Sequence, residues 1–196
     1  MAECVCNQAN VEADLAKYQQ DLNNCLYSES TAIFSNYCQE HAKCIIRSFF
    51  DAARESIEFL SGDFGAEVFC KGPIHNSIVE AVRRGVRVRV ISLNTDEKSR
   101  ACVEVLSHEA AEAASGGKGS FNCVFSRVRE GARVQHYMVV DRKRYRLESC
   151  HPDHQVDNVH AEVCCNGPAK AATLCGMFDD IWYFLSDRQR SVQPSK

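Results

Sequence analysis

The stretch VQHYMVVDRKRYRLES, residues 134–149, decides how the chain folds. The apolar run Tyr137 to Val140 stops at Asp141, and basic and apolar residues then alternate from Arg144 to Leu147. That pattern predicts two strands, Val134 to Asp141 and Arg144 to Leu147, joined at Arg142-Lys143. Two strands so closely joined must run antiparallel. Residues 134 and 136 share one face of the first strand, because successive side chains point to opposite faces.

Upstream of this hairpin the periodicity alternates between strand and helix. Ile57-Glu58-Phe59-Leu60 reads as a strand ending at Ser61-Gly62-Asp63. Pro73 fits the first turn of a helix that carries Ile74, Ile78, Val79 and Val82 inward and stops at Gly85. Val86 to Ile91 alternates as a strand, Asp96 caps a helix through Cys102, Val103, Leu106 and Ala110, and Phe121 to Val128 reads as another strand. The loop from Ser115 to Ser120 is rich in glycine but lacks phosphate-loop spacing. Downstream, residues 149–160 form a polar, histidine-rich loop. Ala161 to Cys165 is a last strand, and a closing helix follows Pro168 with Leu174, Met177, Phe178, Ile181, Trp182 and Leu185 inward. At the front, Val11, Leu15, Tyr18 and Leu22 predict a helix over 8–26. Ser28 to Thr31 offer the N-cap of a second, which runs through Ile33, Phe34, Tyr37, Cys38, His41, Ile45 and Phe49 to about Glu55. Together these elements predict an α/β fold: a mixed β-sheet covered by helices on both faces, with an N-terminal helical extension.

Composition sets the outer limits. A chain of 196 residues with 45% hydrophobic and 25% charged residues suits one globular domain. A net charge of −3 means that any affinity for phosphate rests on a local patch. No run approaches the roughly 20 apolar residues of a membrane helix, and no apolar signal region follows Met1-Ala2-Glu3. The expectation is a cytoplasmic chain that does not engage membranes. Its twelve cysteines are then mostly reduced core thiols, with Cys38, Cys44, Cys102, Cys164 and Cys175 at apolar periodic positions.

Three segments in order resemble one half of a phospholipase D-like domain. They are the strand-helix-strand unit from Ser56 to "RRGVRVRVIS" at 83–92, the hairpin at 134–149, and "AEVCCNGPAKAATLCGMFDDIW" at 161–182. The resemblance covers about residues 45–186, leaving 1–44 as the helical extension and 187–196 as a tail. The family's motif is His-x-Lys-x-x-x-x-Asp, followed six residues later by Gly-Ser. Its histidine attacks phosphorus, its lysine holds a phosphate oxygen, and its serine supports the site. Asp141 fits the aspartate and Ser149 the serine, while Glu148 replaces the glycine. Val134 falls where the nucleophile belongs, and His136 where the lysine belongs.

The resemblance therefore implies a degenerate, single-motif member. It would bind a phosphate-bearing ligand such as nucleic acid or a nucleotide, or serve as a dimeric scaffold for a protein partner. The alternative is a metal-independent phosphodiesterase or nuclease centred on His136, with Asp141, Ser149 and Glu148 in support across a homodimer. An imidazole is able to donate to phosphate, to attack it, or to shuttle protons near neutral pH. Arg142, Lys143, Arg144 and Arg146 are the candidate ligand-binding cations, steering an anion toward the site. Arg87 and Arg89 either join them, lie on a solvated sheet face, or pair with Glu58 and Asp63. Cys150, His151, His154, His160, Cys164 and Cys165 crowd together but match no paired zinc spacing, and Cys4-x-Cys6 is weaker still. No metal and no cofactor is expected. Phe59, Phe64, Phe69 and Trp182 read as core.

Overall fold

A computed structural model of the chain describes residues 8–36, 38–62, 64, 67–114, 117–129, 131–152 and 160–192. Cys4, Cys6, Tyr37, Asp63, Ser115 and His154 lie outside the described residues. The elements run α1 (Gln8–Tyr27), β1 (Ile33–Asn36), α2 (Gln39–Ala52), β2 (Ser56–Ser61), α3 (Glu67–Cys70), α4 (Pro73–Arg83), β3 (Arg87–Ser92) and α5 (Glu97–Ala113). They continue with β4 (Ser120–Phe125), β5 (Arg133–Val134), β6 (Tyr137–Val140), β7 (Arg144–Glu148), β8 (His151–Pro152), β9 (Ala161–Cys164) and α6 (Pro168–Val192). Seven strands form one sheet in the order β1-β9-β7-β6-β2-β3-β4, and β5 pairs with β8 in a separate ribbon. β2, β3 and β4 are parallel, whereas β6, β7, β9 and β1 join antiparallel. The sheet is mixed, as its hairpin requires.

Strand alternation divides the core into two layers. Ile57, Phe59, Val88, Val90, Met138 and Val140 face helices α1, α2, α4 and α5, which contribute Leu22, Ile45, Phe49, Ile78, Val103 and Leu106. Leu60, Ile91, Val139, Tyr145 and Leu147 face the opposite way onto Ala171, Leu174, Cys175 and Phe178 of α6. Helices thus cover both faces. Charged residues enter the α6 side as a network. The Arg89 guanidinium donates to Glu58 at 3.0 Å, forms an ion pair with Asp179 at 2.8 Å, and lies over the rings of Phe178 and Trp182. Of the three readings of Arg89, pairing with Glu58 is the one the structure adopts. At the foot of α4, Gly85 takes φ +96°, a conformation open to glycine, and lets the chain turn straight into β3.

Several local expectations are corrected. Ile33 and Phe34 do not open a helix. They form β1, which covers the edge of β9 with Ile33 opposite Cys164. A short apolar run does not distinguish the two states by periodicity alone, and the unpaired edge of β9 favours the strand. Helix α2 accordingly starts later, capped by Cys38, whose sulfur accepts from the His41 N–H. The strand expected over 134–141 is broken: Val134 belongs to the β5–β8 ribbon, and β6 begins only at Tyr137. Met177 and Ile181 are 46% and 37% exposed, because the inward stripe of α6 runs through Leu174, Cys175 and Phe178 instead. Cys102 is not a free thiol but is bonded to Cys70, with the two Cα atoms 5.1 Å apart, linking α3 to α5. Cys164, Cys165 and Cys175 are buried free thiols, and burial pushes Cys165 up to about 12. Among the described residues no helix is long and apolar enough to cross a membrane.

Candidate functional site

The parallel strands β2, β3 and β4 end at Ser61, Ser92 and Phe125. Tyr137 lies opposite Leu60, and Leu147 lies opposite Tyr137, so His136 and Glu148 stand at this same carboxyl end. The Glu148 N–H donates to the His136 carbonyl at 2.9 Å, which carries the hairpin ladder one residue past β6. The carboxyl edge of parallel strands is where α/β sheets place ligands.

One carboxylate organises the site. Glu148 Oε2 accepts from His136 Nδ1 at 2.9 Å and from His151 Nε2 at 3.1 Å. Glu148 Oε1 accepts from Arg146 Nη1 at 2.5 Å. An ionised carboxylate only accepts, so both imidazole nitrogens facing it carry protons. Arg146 is itself held by Asn36 of β1, whose Oδ1 accepts from Nε at 3.1 Å inside the buried layer. Burial alone would raise the Glu148 pKa, but the hydrogen bond from His136 and the charge of Arg146 outweigh it and hold the carboxyl at about 2. The two imidazoles meet edge to face, ring centroids 4.8 Å apart.

His136 is enclosed on its other side. A Cβ on Gly62 would stand 2.5 Å from His136 Cε1 and 2.8 Å from Nε2, so the end of β2 packs directly against the ring. Nε2 is buried and makes no hydrogen bond among the described residues. Glycine is the residue that permits this approach.

The other residues singled out in the sequence are placed elsewhere. Asp141 lies at the far end of β6, roughly 16 Å from His136 at about 3.3 Å per strand residue. Its carboxylate accepts from the backbone N–H groups of Arg54, Glu55 and Ser56 at 2.8–3.2 Å and pairs with Arg144 at 2.9 Å. Arg142 and Lys143 share that end, where Lys143 pairs with Glu29. The basic turn is thus not beside His136, as the sequence reading had it. Arg144 and Arg146 are both buried and both paired, and Arg142 is the exposed member of the four. Ser149 is exposed just past β7, its N–H donating to the His160 carbonyl at 2.7 Å. Val134 lies opposite His151 in the small ribbon.

The structure adds cations that the sequence reading passed over. Arg100, Arg127, Arg129 and Arg133 are exposed at the carboxyl end of the sheet. Arg100 and Arg127 are both tethered to Thr95, through its carbonyl and its hydroxyl respectively, each at 3.1 Å. Arg100 also lies 4.6 Å over the Phe125 ring, and Arg133 donates to the Cys150 carbonyl at 2.5 Å. Among the described residues none of the four is ion-paired. Their signal was weak in the sequence, scattered over 34 positions from 100 to 133.

No family model matches the sequence, and no curated protein matches it either. Among solved structures, the chain is similar to Nuc from Salmonella typhimurium, a phospholipase D family member. The TM-score is 0.57 and the identity 20%, over 78% of this chain and 94% of that one. It is also similar to TrmBL2, an archaeal chromatin protein whose structure shows a novel mode of DNA binding. There the TM-score is 0.54 and the identity 12%, over 90% of this chain and 63% of that one. The fold is therefore phospholipase D-like.

Proposed function

We propose that this chain is a phospholipase D-like domain that binds a phosphate-bearing ligand, nucleic acid above all, without hydrolysing it. The observation that carries this reading is the set of exposed guanidinium groups of Arg100, Arg127, Arg129 and Arg133, without carboxylate partners among the described residues, at the carboxyl end of the sheet. Guanidinium suits phosphate because its N–H groups fork onto two oxygens. The DNA binding of TrmBL2 agrees with it.

Two features support binding without cleavage. Val134 stands at the position that the family gives to its nucleophile, so the motif is degenerate there. His136, the other imidazole in reach, has Nδ1 committed to Glu148 and Nε2 shut beneath Gly62. A nucleophile must reach phosphorus in line, and neither nitrogen is open to do so. The Asp141 network ties the hairpin turn to the start of β2, so its role in this reading is to hold the fold. Pairing of two chains into a homodimer belongs to the same proposal, with the exposed Met177 and Ile181 of α6 as its apolar surface. Sedimentation equilibrium tests that part.

The test of binding is fluorescence anisotropy with a labelled DNA duplex, a labelled single strand and a labelled RNA across a salt series. Each phosphate contact adds about 0.9 to the slope of log affinity against log salt on duplex DNA. Four contacts then make a doubling of salt cost about tenfold in affinity. Arg127→Gln with Arg129→Gln should lower that slope by about 2. Salt-independent binding, or none, rejects the reading. Chelator-resistant hydrolysis of a phosphodiester that vanishes in His136→Ala would establish the phosphodiesterase instead.

A further inference from the structure

We propose that His136, Glu148 and His151 form a binding site for a divalent transition-metal cation, zinc fitting best. One donor atom from each lies within 4.8 Å of the others. The two imidazole nitrogens converge on a single carboxylate oxygen at 2.9 and 3.1 Å. A tetrahedral zinc with ligands at about 2.0–2.1 Å spaces its donors about 3.3 Å apart. Two of the three separations already lie within about 0.4 Å of that spacing, and the third, at most 4.8 Å, closes by no more than about 1.5 Å as the imidazoles turn toward the cation. Two imidazoles and one carboxylate suit zinc and its neighbours, whereas calcium and magnesium demand shells of oxygen.

The surroundings prepare the ligands. Arg146 occupies Oε1 and is braced by Asn36, so Oε2 is left as a one-oxygen ligand aimed at the imidazoles. Such outer partners fix the orientation of metal ligands. Gly62 and the edge-to-face contact with His151 hold the His136 ring in place. Metal at His136 Nδ1 and His151 Nε2 displaces the two protons now shared with Glu148; that of His151 leaves to solvent, and that of His136 moves to its other ring nitrogen. His136 Nε2 is able to take it without breaking a bond among the described residues. Three protein ligands leave a fourth position for water or for an oxygen of a bound anion. The sequence hid this set because only His151 lay in the crowded Cys/His loop, while its partners come from β7 and the residue before β6.

The site stands on these three residues and not on the nucleic-acid reading, and it is tested with zinc alone. Chelator-stripped full-length protein is titrated with zinc while side-chain ¹H–¹⁵N correlations of the histidines are recorded. The expected result is saturation of one site that shifts His136 and His151, with His136 changing tautomer. Competition against a chromophoric chelator should show that His151→Ala weakens this site by about 100-fold or more. Cobalt in its place should lack the thiolate charge-transfer band that a cysteine site would give. Unmoved His136 and His151 resonances in the wild-type protein overturn the proposal without relying on any variant. Equal zinc affinity in folded His151→Ala overturns it as well.

Discussion

Replacing Glu148 by glutamine tests the carboxylate around which the site is built. Glutamine keeps the shape but removes the charge, and it turns an NH2 group toward groups that already donate. The Glu148 pKa falls from its ordinary value of 4.5 to about 2, with the cost of burial outweighed by the hydrogen bond from His136 and the charge of Arg146. Each unit is worth about 1.4 kcal/mol, so the charged carboxylate contributes about 3 kcal/mol. The sign follows from the depressed value. The contribution is fully present above about pH 4.5 and is lost as the pH falls toward 2. Urea unfolding of wild type and Glu148→Gln, followed by circular dichroism from pH 7 to pH 3, should show a gap of about 3 kcal/mol at neutral pH that closes with acidification. Since about 3 kcal/mol is a large share of a domain's net stability, the shift in midpoint is easily measured. Coincident midpoints at pH 7, or a gap that does not depend on pH below 5, would refute the role assigned to this carboxylate.

Three further perturbations probe other links. Asp141→Ala removes the acceptor of three backbone N–H groups and leaves Arg144 buried beside a vacancy, so it should cost about 3–5 kcal/mol in urea unfolding. A loss under 1 kcal/mol would contradict the anchoring role. Arg89→Met strands Glu58, whose side chain is 3% exposed, and should cost a similar 3–5 kcal/mol, while Arg89→Met with Glu58→Gln recovers part of it in a double-mutant cycle. Additive losses would show that the pair is not coupled. Gly62→Ala drives a methyl into the His136 ring and should cost about 1–3 kcal/mol while shifting the His136 imidazole resonances; unchanged resonances would mean that the close approach is absent.

The fold was legible because its elements are built from local periodicity. The runs at Ile57 to Leu60 and Tyr137 to Val140, the Pro73 start, the Gly85 stop and the Asp96 cap all lie where their residues predict. The site was half legible. A hairpin turning at residues 141–143 places 140 opposite 144, and the same register carries His136 opposite Glu148. That pairing follows from counting along the two strands. What counting does not supply is Asn36 on Arg146, 110 residues away, because it depends on which strand lies at which edge of the sheet. Nor does it supply Gly62 on His136, since β2 and β6 become neighbours only through tertiary structure. The misreading of Ile33 and Phe34 has the same origin: the edge of β9 chose their conformation.

The charges of the hairpin show how far composition misleads about field. Arg142, Lys143, Arg144 and Arg146 look in the sequence like one positive patch beside a phosphate site. In the fold, alternation along β7 turns Arg144 and Arg146 inward, where each meets an acidic partner: Asp141 for the first and Glu148 for the second. Lys143 meets Glu29. A paired buried cation is nearly neutral as seen from outside, so this stretch organises the interior and attracts little. At the carboxyl end of the sheet the exposed cations are Arg100, Arg127, Arg129 and Arg133, which lack carboxylate partners among the described residues, while Arg142 is exposed at the opposite end of the hairpin. Under the proposed function, a polyanion is drawn to the carboxyl end of β4 and the β5–β8 ribbon. The imidazoles beside them are already committed to Glu148. Under the proposed reading, attraction and chemistry have been separated in this chain, with the cations kept at the mouth and the histidines turned toward a carboxylate, where a metal ion finds its ligands.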